Sequence, residues 1–357
     1  MSASGGIAAK KIRRVVKPAS RPASPATSLI DPVDSQPPRW GWIVVARKEL
    51  ADHLRGARAL VLFIALALAA AIPLYFASTR IRDAAPAATG APAVFLALFT
   101  LGSTDFPILR VNAFVGIVAP LLGIAFGFDA VNRERTERTL PRLLAQPIHR
   151  DDVINGKFAA GLAMISLALV AMTVLIAGFG LFRLGLVPTS GEIVRIGVWV
   201  GITILYVAFW LALGTFLSVV FRRAATAALV GFSLWLIVTI FGGLITSLIG
   251  GLVASTSSAT TIDAALRAAQ IQQLISRLLP SQLYQEASIV VLDPSVTRLS
   301  VPLTAGQLDQ AQQQIPTLLS LDQSLLLAWP QLVALVGITV VLFAFAYIRF
   351  LRQEVRA

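Results

Sequence analysis

Six long apolar runs constrain this chain more than any other feature. Crossing a hydrocarbon core of about 30 Å takes ~20 helical residues. The runs at residues 59–77, 111–128, 158–182, 193–221, 224–251 and 325–348 approach or exceed that length. They are too long for barrel strands and lack the period-two alternation that a transmembrane barrel needs. The expected fold class is therefore all-α: a polytopic membrane protein with six transmembrane helices. Composition agrees, because only 13% of the residues are charged, against about 25% in a soluble domain.

The formal net charge of +12 would suit a phosphate-binding surface, but its distribution argues for topology instead. With a cytoplasmic amino terminus, the short inner segments 39–58, 132–157, 222–223 and 349–356 carry sixteen of the thirty Lys and Arg residues. Eight are spread thinly over the outer segments, and six lie in residues 1–38. Such a bias orients membrane helices and sets both termini in the cytoplasm, as in a multi-pass protein of the inner (plasma) membrane. No nucleic-acid partner is expected. Absence of cysteine excludes disulfides and thiolate metal sites, and the two histidines, His53 and His149, are read as polar residues near helix ends. No metal site is expected.

Five regions follow from these patterns. Residues 1–38, rich in Pro, Ser and basic residues, form a disordered basic tail. Residues 39–58 form an interfacial amphipathic helix: Ile43, Ala46, Leu50, Leu54 and Ala57 recur at helical spacing, with Trp40 and Trp42 suited to the headgroup layer. Residues 59–251 hold the first five spans. Residues 252–324 form a small helical extracytoplasmic insertion, with amphipathic helices around Leu266 to Leu278 and Leu308 to Leu318 and prolines, including Pro280, as interruptions. Residues 325–357 hold the sixth span and a cytoplasmic end. Two small-xxx-small pairs, Gly123 with Gly127 and Gly197 with Gly201, are candidates for close helix approach.

The connector at residues 132–157 carries ten charged side chains between two apolar spans. Glu134 and Arg138 are one helical turn apart and can pair, Pro147 should turn the chain, and Asp151 or Asp152 is placed to cap the following helix. A short charged element projecting between membrane helices suits docking on another protein.

The run "LLGIAFGFDAVNRERTERTLPRLLAQPIHRDDVINGKFAAG", with "ARKEL" ahead of the first span, resembles the type-2 permease subunits of ABC transporters, in particular the branch that includes permeases of nitrous-oxide-reductase maturation. In that family a connector of this pattern forms the coupling helix that touches the ATPase. The resemblance implies coupling roles for Glu134, Glu137, Thr139, Leu140, Leu143, Leu144, Pro147, Arg150, Gly156 and Lys157, and for Glu49 of "ARKEL". The sequence departs from the pattern at Arg138, where the family has glycine, and at Pro141. The resemblance covers residues 40–223 and the last span, but not the outer section after Gly251.

The resemblance further implies an ABC ATP-binding subunit as partner, a second permease copy as homo- or heterodimer, and ATP with Mg held by that subunit, with no cofactor in this chain. The chain itself has no P-loop: its only Gly-Lys pair, Gly156 with Lys157, is followed by Phe158 instead of Ser or Thr. It is therefore read as no enzyme but the permease of an ATP-driven exporter. Two alternatives remain open. An ion-coupled secondary transporter usually needs ionisable groups inside the membrane; with Arg195 assigned to an outer loop, only Asp129 at the edge of the second span qualifies. A membrane anchor or assembly factor would use the outer insertion to recruit an extracytoplasmic partner.

Overall fold

The computed structural model describes residues 40–84, 93–103, 106, 108–136, 149–255, 262–299 and 318–352. The basic tail, the middle of the connector and the outer helix expected from Leu308 onward lie outside them.

Helix α1 (Gly41–Arg55) ends at the extended Gly56, and α2 (Ala57–Ala84) starts at once. A single-turn α3 (Ala97–Thr100) precedes α4 (Val111–Gly127), which passes through a tight turn into α5 (Asn132–Thr136). Helix α6 (Arg150–Leu184) stops where Gly185 takes a left-handed φ of 68° and the Leu186 N–H reaches back to the Gly180 carbonyl at 3.1 Å. Helix α7 (Ser190–Val220) is started by a reciprocal cap. Thr189 Oγ1 accepts from the Glu192 N–H, and Glu192 Oε2 accepts from the Thr189 N–H at 2.8 Å. The fifth span runs through α8 (Ala224–Trp235), a π-helical stretch Leu236–Phe241, and α9 (Gly242–Ser255). Then come α10 (Ile262–Ser276), α11 (Pro280–Leu292) and α12 (Leu321–Leu351). Six helical stretches are long and apolar enough to span a membrane, at Ala59–Asp83, Val111–Thr136, Arg150–Leu184, Ser190–Val220, Ala224–Leu252 and Leu321–Leu351. The protein is an all-α polytopic membrane protein.

Helices α4 and α7 are the most enclosed spans, and the fifth and sixth the least. On α2 the exposed residues Leu60, Val61, Ile64, Leu68 and Ile72 follow helical spacing, as a lipid-facing stripe must. The α4–α7 contact depends on glycine. A Cβ on Gly127 would stand 2.7 Å from the Leu211 carbonyl oxygen, and one on Gly123 would stand 2.8 Å from Trp210 Cβ. Neither α7 backbone nor Trp210 Cβ can step aside, so only glycine lets the helices come this close. Gly197 and Gly201 correct the matching expectation, because nothing lies within 4 Å of where their Cβ atoms would be.

Helix α11 was not legible in the sequence. Pro280 reads as a breaker, yet it stands in the first turn of α11, where its missing N–H costs nothing. The helix wedges between α7, α12 and α4 and buries Tyr284, Ala287, Val290 and Val291 completely. Tyr284 stacks on Tyr206 of α7 at 4.5 Å and 12°. The Tyr206 hydroxyl donates to the Gly116 carbonyl at 3.2 Å; this is the carbonyl that Pro120, four residues on, leaves without a helical donor.

At the same end of the bundle, Arg195 is not in a loop but buried near the start of α7. It donates to the Val291 carbonyl at 2.9 Å, Ser324 Oγ at 3.1 Å and the Leu319 carbonyl at 2.5 Å. Glu286, also buried, accepts from Arg277 Nε at 2.8 Å and Gln331 Nε2 at 2.7 Å. These buried polar groups hold α10, α11 and α12 to one another and to α7.

Candidate functional site

At the opposite end, α1 lies along the start of α6, with which it makes one of the closest helix–helix contacts in the molecule. Two residues of α6 allow this. A Cβ on Gly156 would fall 2.6 Å from Val45 Cβ and 2.8 Å from the Trp42 carbonyl oxygen, so glycine is needed there for the helices to touch. Asp152 then serves two helix starts with one carboxylate: Oδ1 accepts from the Trp42 N–H at 3.0 Å, and Oδ2 from the His149 N–H at 3.3 Å. Both N–H groups belong to the set that a helix start leaves unpaired, and the carboxylate also suits the positive end of each helix dipole. Asp152, rather than Asp151, caps α6.

One turn further, Lys157 lies between two carboxylates. Its Nζ is 3.0 Å from Glu49 Oε1 on α1 and 2.7 Å from Glu134 Oε1 on α5. The lysine side chain is 7% exposed, against 18% for Glu49 and 12% for Glu134. An ammonium removed from water this far is tolerated because its charge is matched on both sides, and removing the lysine, which would leave two carboxylates facing each other, costs about 3–5 kcal/mol. With one cation and two anions, the triad retains a net negative charge, carried by the more exposed carboxylates.

A small apolar knot backs the triad. Val131, Val153, Ile154, Val219, Ala346 and Phe350 are buried together, drawing in the ends of α7 and α12. Ser218 Oγ accepts from the Val131 and Asn132 N–H groups at 3.0 and 3.1 Å, tying the start of α5 to α7. Arg150 sits with Cζ 6.0 Å from the centre of the Phe350 ring, within cation–π range. His53 meets the Phe126 ring edge-on at 5.0 Å.

Of the residues singled out in the sequence, the structure brings Glu49, Glu134, Gly156 and Lys157 into one assembly, with Arg150 beside Phe350. Glu137, Thr139, Leu140, Leu143, Leu144 and Pro147 lie outside the described residues. Three partners had no sequence signal: the Trp42 N–H for Asp152, Ser218 for the start of α5, and Phe350 for Arg150. Each pair is far apart in the chain, and no local periodicity connects them.

Six spans around a glycine-tight α4–α7 core, with a charged assembly where α1, α5 and α6 meet, define a multi-pass all-α membrane protein. Over residues 43–355 the chain matches the family described as ABC-2 family transporter protein. It belongs to that family, as the permease component of an ABC transporter. Among curated proteins no relative matches.

Proposed function

We propose that this permease couples ATP hydrolysis in a separate ATP-binding subunit to export of a substrate, and that residues 132–157 with α1 form the surface on which that subunit acts. The Glu49–Lys157–Glu134 triad carries the reading. It joins α1, α5 and α6 by two ion pairs, so a force applied to the connector or to α1 is passed to the second and third spans together. In this reading the α1 end faces the cytosol and both termini are cytoplasmic, in the inner (plasma) membrane. The partner subunit holds ATP and Mg, and a second permease copy completes the transporter. This chain contributes no catalytic group of its own. Nucleotide shifts the arrangement of the spans only by its differential affinity for the two states of the complex.

Two experiments test this. The chain has no cysteine, so a single Leu143→Cys variant offers one crosslinking site to the ATP-binding subunit. Nucleotide-dependent crosslinking is expected, and its absence in an active complex would sink the coupling assignment. Orientation is read by labelling intact cells with an impermeant maleimide. Arg183→Cys should react and Arg47→Cys should not; the reverse pattern overturns the topology.

A further inference from the structure

Four arginines outside the triad gather at the α1 end of the bundle. The apolar knot holds Val219 of α7 against Ala346 and Phe350 of α12, so the residues that follow both helices are neighbours. Arg222 and Arg223 follow α7 directly, while Arg349 and Arg352 close α12; all four are exposed. None of them makes an ion pair among the described residues. The charges of Arg222 and Arg349 both bear on Arg135 at the end of α5, which sets guanidinium groups from three chain segments in one electrostatic neighbourhood. The described acids near this region are already engaged: Glu134 with Lys157, and Asp151 with the Tyr347 side chain.

Two further features belong to the same patch. Helix α8 begins at Ala224 with no side-chain cap, Arg223 holding the cap position; its first N–H groups therefore favour an anion. Close in sequence to the arginines, Val220, Ile348 and Leu351 are 40%, 46% and 36% exposed, which leaves apolar surface beside them. Orienting a helix requires only that positive charge lie on one side of the membrane. Gathering it from separate segments around one uncapped helix start imposes mutual repulsion, which a bound anion relieves.

We propose that this patch binds an anionic phospholipid, its phosphate held by Arg222, Arg223 and Arg349 at the start of α8 and its acyl chains lying along Val220, Ile348 and Leu351. A free phosphate shares the headgroup chemistry but cannot use the apolar surface, so the site is a lipid site.

The full chain in detergent tests this with three probes: phosphatidylglycerol, phosphatidylcholine and inorganic phosphate. Native mass spectrometry reads retained lipid, and thermal melting reads stabilisation. The wild type should retain phosphatidylglycerol over phosphatidylcholine. The preference should fall about fivefold per arginine removed in R222Q/R223Q/R349Q, while R183Q at the other end leaves it unchanged. Should the triple variant fail to fold, R222Q and R349Q singly carry the test with the same loss each. Equal retention of the two lipids, an undiminished preference in the arginine variants, or displacement of phosphatidylglycerol by inorganic phosphate at matched concentration would each overturn the proposal.

Discussion

The two ends of the bundle solve the same electrostatic problem differently. At the α11 end, Arg195 is spent on two backbone carbonyls and a serine, and Glu286 on Arg277 and Gln331. Those bonds close the structure on itself. At the α1 end, Lys157 is matched by two slightly exposed carboxylates, and Arg222, Arg223, Arg349 and Arg352 make no ion pair among the described residues. One end is held by hydrogen bonds within the chain, whereas the other also leaves Arg222, Arg223, Arg349 and Arg352 exposed.

Removing charge at each end sharpens this contrast. Arg195→Met should have the largest effect, because it strips two buried acceptors and one part-buried acceptor of a charged donor at once. About 4 kcal/mol of stability should be lost, read as a steep fall in melting temperature of the detergent-solubilised protein. Lys157→Met leaves two carboxylates facing each other and should cost about 3 kcal/mol. The neutral variant E49Q/E134Q/K157M should recover most of that, since no lone charge remains buried, yet still fail to support stimulated ATP hydrolysis by the partner subunit. If the neutral triad were fully coupled, the ion pairs would be structural only, and the contrast between the two ends would narrow.

Glycine supplies the next pair. Gly127→Ala places a Cβ 2.7 Å from the backbone of α7 and should cost about 2 kcal/mol through overpacking. Gly197→Ala meets nothing within 4 Å and should be neutral or stabilising by up to ~1 kcal/mol, because alanine is the better helix former. Melting temperatures of the two variants, measured side by side, decide it; equal destabilisation would mean that Gly197 is covered in the protein. A smaller loss than that of Gly127→Ala is expected from Trp235→Phe. It removes the donor to the Ile117 carbonyl at 3.0 Å and exchanges the indole for a smaller aromatic ring, so about 1 kcal/mol should be lost.

These residues also show how far the sequence could be read. The six spans were legible because a hydrocarbon slab demands one property, apolar length, that a linear scan detects. That residues 41–55 form a helix was legible from their 3.6-residue period, and Gly156 with Lys157 from a family pattern. Helix α11 was hidden behind Pro280, which ends helices when it falls inside them and starts them when it falls in the first turn. Arg195 was misplaced because a charged residue near the end of an apolar run reads as loop, whereas its acceptors come from α11, Leu319 and Ser324.

Amino-acid order alone determined that the chain spans a membrane, how many times it does so, and where its charge is concentrated, because these depend on residues adjacent in sequence and on a solvent that tolerates few polar groups. Tertiary structure alone decided which glycines touch a neighbour and which carboxylates meet Lys157. Gly123–Gly127 and Gly197–Gly201 share one spacing but not one environment, and Glu49 lies 108 positions from Lys157. Contacts of that kind arise from how helices pack across the bundle, and helix packing brings together residues that no local pattern relates.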